Sequence, residues 1–179
     1  MSAAARGVAQ LWVELRADDP EAASALEVAR RGLEDARTLV SVRRLRVYEL
    51  TGSLPAVAPI EKTLHGSIQF YNPAKERPTL RVRDGDPAPV AADEWLILVR
   101  ERGGERRPSA ERWWRHETGG RITVREAVAW ALRFDPADPE GRFAAGLAVA
   151  RDRRHGLLDR KSTRLNSSHN GQSRMPSSA

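Results

Sequence analysis

The fold turns on the stretch TLVSVRRLRVYEL, residues 38–50. Val40, Val42, Leu45, Val47 and Tyr48 follow a period near two in β-favouring company, which predicts a long strand with one buried face. A second stretch, RITVREAVAWALRF at 121–134, reads the same way and superimposes on the first at a spacing of 82. That shift lays Val42-Arg43 on Val124-Arg125, Tyr48 on Trp130 and Leu50 on Leu132. Two long strands in register imply an internal duplication.

Working outward from the first strand, AQLWVEL at 9–15 alternates Leu11, Val13 and Leu15 with Gln10, Trp12 and Glu14. Asp19-Pro20-Glu21 then opens a helix: an aspartate cap, a proline suited to the first helical position and an acid favoured by the positive end. Ala22, Leu26, Ala29 and Leu33 share one helical face. After the TGSLP turn comes a helical stretch through Ile60 and Leu64, then Asn72-Pro73 and a short strand at 78–83 with Leu80 and Val82. The order is β-α-β-α-β over residues 1–83. DGDPAPVAAD, 84–93, reads as a linker. Residues 94–158 restart the order: a strand Trp95–Val99, a turn ERGGERRP, a helix Ser109–Glu117, and the long strand. Asp138-Pro139-Glu140 repeats the helix opening, with Phe143, Leu147 and Ala150 as one stripe. The expected class is α+β, two tandem ferredoxin-like halves with helices on one face of antiparallel strands. The closing strand of the second half is expected after His155–Leu158, and the first half is expected to resist proteolysis better than the second.

Residues 159–179, DRKSTRLNSSHNGQSRMPSSA, break the pattern. They hold one branched aliphatic, Leu165, no aromatic, and five Ser in the last thirteen positions. Such a composition buries too little apolar area to offset the entropy of ordering, so a disordered tail is expected. The segment also resembles the one-frame translation of a short-read sequencing adapter, Asp159–His169 and Ser173–Ala179, with Asn170-Gly171-Gln172 in the variable index. On that reading the tail is non-native and the second half is truncated at 158. The chain carries 30 Lys and Arg against 24 Asp and Glu, net +6; the tail holds four of the former and one of the latter, which leaves +3 on residues 1–158. A charge of +3 gives little ground for nucleic-acid binding.

The 179 residues, 40% apolar, suffice for a core without staples. With no Cys, thiolate metal sites, disulfides and thiol catalysis are excluded. No apolar run approaches the roughly 18 residues of a membrane span, and a cytoplasmic protein is expected. No phosphate loop, serine elbow, zinc-spaced His-Glu pair or dinucleotide fingerprint is present, so no catalytic, cofactor-binding or metal residue is assigned. Gly103-Gly104 and Gly119-Gly120 read as turns, His65, His116 and His155 as isolated, and Asp18-Asp19 and Asp93-Glu94 as caps or solvated acids. The candidate binding residues are few. Arg44, Arg46 and Tyr48 share one strand face, with Arg43 opposite, and form either a basic stacking face for nucleic acid or a solvated edge. Trp113 and Trp114 stand among arginines, and Trp and Arg are enriched in binding hot spots, so one of the pair is expected at a partner interface unless covered.

Asp19-Pro20 after the first strand, Val42-Arg43 with Tyr48 in the second, and Asn72-Pro73 before the last together resemble the small, non-catalytic subunit of phosphoribosylformylglycinamidine synthase, an amidotransferase of purine biosynthesis. Two such units in tandem resemble the N-terminal domain of the long, fused synthases. The chain departs from that pattern at Ala22, where the family often has Gly, and at Gly103-Gly104 in place of Asp-Pro. The resemblance implies a non-catalytic assembly domain with the synthetase core and a glutaminase domain as partners. ATP and magnesium would then belong to the core, with no cofactor on this chain. Two other classes stay open, a nucleic-acid-binding module and a ferredoxin-like small-molecule regulatory domain.

Overall fold

The structure, a computed structural model, describes residues 6–83, 85–100, 105–138, 140–148, 156 and 163–166. Its strands are β1 (Arg6–Leu15), β2 (Leu39–Ser53), β3 (Glu76–Arg81), β4 (Glu94–Val99), β5 (Glu105–Arg106), β6 (Ile122–Phe134) and β7 (Thr163–Asn166). The helices are α1 (Pro20–Gly32), α2 (Val57–His65), α3 (Pro108–Thr118) and α4 (Arg142–Ala148). The result is an α+β fold on one antiparallel sheet in the order β3-β1-β2-β6-β4-β7, with β5 beside β6. The long strands β2 and β6 form its centre, paired from Leu39 opposite Phe134 to Gly52 opposite Ile122. An irregularity between Leu39 and Ser41 brings Leu39 into the same core as Val42, whereas the apolar pattern slips further along β2 because Leu45 and Val47 are buried on one face and Tyr48 and Leu50 on the other.

Asp19 caps α1 as its sequence predicts: Oδ1 accepts the backbone N–H of Glu21 at 2.8 Å and of Ala22 at 3.4 Å. Asp138 does the same for α4, accepting from Arg142, Phe143 and Ala144 at 2.9–3.0 Å. Here the helix starts later than the Asp-Pro-Glu pattern suggests, because Gly141 turns the chain at φ 68 before it. A Cβ on Gly141 would lie 2.8 Å from the indole of Trp95, whose Nε1 donates to the Asp138 carbonyl at 2.7 Å. Gly141→Ala is expected to cost about 1–3 kcal/mol, from positive φ and the displaced ring together. A urea melt with unchanged midpoint would refute that. Ala150 of the expected stripe lies outside the described residues; Leu147 is buried and Phe143 packs beside it.

Alternation puts the helices on one sheet face, over two separate cores. The first gathers Leu11, Val13, Tyr48 and Leu50 under α2 (Ile60, Leu64) and α3 (Ala110, Trp114), with Ile122 and Val124 of β6. The second gathers Ile97, Leu132 and Phe134 under α1 (Ala29) and α4 (Ala144, Leu147), with Leu39 of β2. Each core therefore draws on residues from both 1–83 and 94–158. The two sequence halves are not separate packing units.

The opposite face is also closed. Trp12, Leu45, Val47, Leu96, Leu98, Ala129 and Ala131 are buried there, with Ala88 and Val90 packed on them. The segment 84–93, read as a linker, is a strap across this face, described from residue 85 on. Buried Arg81 donates to the Asp86 carbonyl at 2.7 Å and to Gln10 Oε1 at 2.8 Å. Arg43 donates to the Pro89 carbonyl at 3.1 Å, to both oxygens of Glu94 at 2.7–2.8 Å and to Glu14 at 2.5 Å. Glu94, expected as a capping or solvated acid, is thus a buried anchor, and it also accepts the Ala91 N–H at 2.8 Å.

Burial works to raise the Glu94 carboxyl, but the Arg43 guanidinium and the Ala91 N–H outweigh it and hold it below the usual range. A depressed carboxyl stabilises the fold above its unfolded value of about 4.3, and that stability is lost as pH falls through the lower folded value. Glu94→Gln is expected to lose roughly 1.5–3 kcal/mol at pH 7, the worth of a charged hydrogen bond, and to lose less at pH 3. Urea midpoints at both pH values measure this; a constant gap would sink it.

The tail is expected to be unstructured, yet four of its residues form β7 against β4, Leu96 opposite Asn166 through Val99 opposite Thr163. The reason lies in β4: its outer edge carries backbone donors and acceptors that an extended segment satisfies whatever its own propensity. The rest of 159–179 lies outside the described residues.

Candidate functional site

Between the two cores, the helical face of the sheet carries a polar belt. Arg44, Arg46 and Tyr48 share that face, as the period of β2 predicts, and stand opposite Trp130, Val128 and Glu126 of β6. Arg46 donates to the Tyr48 hydroxyl at 2.8 Å and to Glu76 at 2.5 Å. Glu76 is fixed in turn by the Asn72 N–H at 2.6 Å. From the start of α3, Arg107 pairs with Glu126 at 2.7 Å. The Cζ atoms of Arg46 and Arg107 each lie 5.6 Å from the Tyr48 ring centroid, so the ring is held by two cation–π contacts. Arg44 meets Asp19 at 3.3 Å and Glu21 at 2.9 Å, tying β2 to the first turn of α1.

Beside Arg44 a cleft of about 460 Å³ opens at the β1–α1 turn. Leu15, Ala22, Leu26 and Val42 give it an apolar lining, with Arg44 and Arg77 among its charged groups.

The chemistry of the belt is static. Burial raises the pKa of Tyr48, while Arg46 opposes the shift, so the phenol stays protonated at neutral pH. Arg44, Arg46 and Arg107 all face carboxylates, so a phosphate would have to displace an internal acid to reach any of them. Among the described residues, no three His, Asp or Glu side chains stand close enough to hold a metal ion. No protein-family profile, curated protein or solved structure matches the chain.

The candidate interface residues separate on inspection. Tyr48 and Trp114 are both 0% exposed, so neither presents a surface to a partner, which corrects the expectation for these two. Trp113 is partly covered, its ring edge-on to Phe70 at 6.1 Å. Both adjacent tryptophans find cover because α3 sinks one into the sheet and the 67–70 turn meets the other. Arg44 and Arg46 keep partial exposure but have internal partners. His65 bonds the Tyr71 hydroxyl and His116 its neighbour Glu117, while His155 lies outside the described residues. Glu76, Arg107 and Glu126 are the belt members that spacing did not reveal. Their only sequence signal is charge, which is common to exposed residues. Among the described residues no helix is long and apolar enough to cross a membrane.

Proposed function

We propose that this chain is a non-catalytic assembly domain of a purine-biosynthetic amidotransferase of the phosphoribosylformylglycinamidine synthase type, built from two tandem ferredoxin-like β-α-β-α-β halves. The observation that carries the reading is the register at the sheet centre. Val42 pairs with Leu132 and Leu50 with Val124, and the 82-residue shift exchanges these two pairs; Arg46 stands opposite Val128, its own equivalent. The flanks support the same symmetry: β3-β1-β2 on one side answers β7-β4-β6 on the other. A duplicated unit whose cores are shared suits a role as a rigid joining element. The arginines of its polar belt are held in internal pairs, and on this reading chemistry would fall to the synthetase core and the glutaminase, and ATP and magnesium to the former. The test is the gene's reading frame beyond codon 158 together with co-purification of its product. A synthetase core in the same frame, retained by residues 1–158 when expressed separately, supports the proposal; an early stop codon overturns it.

A second reading, a small-molecule regulatory domain, draws support from the cleft beside Arg44. Thermal-shift measurement against nucleotides and amino acids tests it, since a ligand at 100 times its Kd stabilises by about 2.7 kcal/mol. Flat melting curves across such a panel would remove it. The nucleic-acid reading has no comparable support, given the carboxylate partners of Arg44 and Arg46.

A further inference from the structure

The ladder between β1 and β2 ends at Glu14 opposite Leu45. Past that point β2 continues to Leu39 against β6, while the chain after Leu15 turns away into α1. Residues 41–44 of β2 therefore have a strand on one side only. The cleft of about 460 Å³ fills this fork, a volume within the range of roughly 300–1,000 Å³ that small-ligand sites occupy. Leu15, Leu26 and Val42 line it half-buried. Leu26 and Val42 flank the second core, so each gives one side to the core and the other to the cleft.

The charges around this floor divide into matched and unmatched. Glu14 pairs with Arg43, and Asp19 with Arg44. Asp19 also holds the N–H groups of Glu21, Ala22 and Ala23, so the start of α1 has no free donor to offer an anion. Arg16, Arg77 and Asp18 are exposed at the cleft, and none meets an opposite charge at ion-pair distance among the described residues. Arg16 is nonetheless held in place. Its backbone N–H donates to the Lys75 carbonyl at 2.9 Å and its Nε to the Glu76 carbonyl at 3.2 Å, which sets its side chain against the backbone adjoining Arg77. Two unmatched guanidiniums against one carboxylate leave the rim with one positive charge in excess.

We propose that the cleft binds a small apolar monocarboxylate, with its chain on Leu15, Leu26 and Val42 and its carboxylate on Arg16 and Arg77. The half-covered aliphatics favour a chain over a hydrated inorganic ion, and the excess charge favours a single negative head group. Asp18 opposes that head group, which makes its removal diagnostic. The inference rests on the small-molecule reading above in taking the cleft as a ligand site, and it names the class of the ligand.

The test is calorimetric titration of the full chain with octanoate, 1-octanol and acetate. Octanoate should bind at one site. Octanol keeps the chain without the charge and should bind about tenfold more weakly, the scale of two exposed ion pairs. Acetate, six methylenes shorter, should bind more than about a hundredfold more weakly. R16Q/R77Q should lower octanoate affinity about tenfold and leave octanol unchanged, whereas D18N should raise octanoate affinity about twofold. Octanol binding equal to octanoate, unchanged octanoate affinity in R16Q/R77Q, or weaker octanoate binding in D18N overturns the proposal. Should R16Q/R77Q melt early, ionic strength decides on the unaltered chain: a rise from about 0.05 to about 0.5 M should weaken octanoate relative to octanol, and an unchanged ratio overturns the site. If octanoate does not bind while a nucleotide or an amino acid shifts the melt, the ligand class falls and the regulatory reading stands; if every compound is silent, both fall.

Discussion

Expressed alone, residues 1–83 are expected to show no cooperative unfolding transition as a monomer, and adding residues 84–179 is expected to restore one. The reason is the sharing of both cores. Without the second half, the first core loses Trp114 and Val124, and the second loses Ile97, Leu132, Phe134 and Leu147. At about 1.5–3 kcal/mol for each buried side chain, six of them amount to about 9–18 kcal/mol, the scale of a whole domain's stability of about 5–15 kcal/mol. Helix α1 would keep its Asp19 cap and lose the face it packs on. This replaces the expectation of a first half more resistant to proteolysis, because protection on either side depends on the other. Circular dichroism of the fragments in a urea gradient, separately and mixed, makes the measurement. A sharp, concentration-independent melt of residues 1–83 would refute the shared-core account.

Trp114→Ala is expected to cost about 3–5 kcal/mol, the range for emptying a large aromatic site in a core. Trp114→Phe is expected to lie within about 1 kcal/mol of the wild type. The indole Nε1 is buried with no hydrogen-bond partner among the described residues, and an unpaired buried donor costs about 1–3 kcal/mol. Phenylalanine removes that donor along with part of the ring, and the two effects oppose one another. Thermal melts of both variants separate a core residue from an interface residue. Were Trp114 a partner contact, both substitutions would leave the isolated chain's melting point unchanged.

Local chemistry was legible where the physics is local. Asp19-Pro20-Glu21 marks α1 because a cap acts on N–H groups two and three residues away. The alternation of β2 put Arg44, Arg46 and Tyr48 on one face and Arg43 on the other, because side-chain direction in a strand depends only on parity. Partner choice was not legible. Periodicity says that α1 and α3 each have one apolar side, yet nothing in Leu26 or Trp114 states that α1 belongs over Leu132 and α3 over Leu50. The strap was missed for a related reason: Pro87 and Pro89 look like spacer residues, and it is backbone carbonyls at 86 and 89 that Arg81 and Arg43 seize. A carbonyl's role leaves no trace in residue identity. The later start of α4 depended on the backbone angle of one glycine. The belt was half visible, since Tyr48 and its arginines stood out while Glu76 and Glu126 resembled any surface acid.

The central ladder joins residues 70 positions apart at Gly52–Ile122 and 95 apart at Leu39–Phe134. On the ribosome that distance becomes time. At about 5–20 residues per second, the 81 residues from Ser53 to Phe134 take about 4–16 s to make, and β2 must wait for them with one edge bare. Nascent chains arrested at residue 120 should therefore be cut by protease within β2, whereas chains with residue 134 clear of the ribosome should not. Slow synthesis across 54–121 prolongs the wait, so silent codon changes there, which alter no residue, should alter how much of the chain survives to fold.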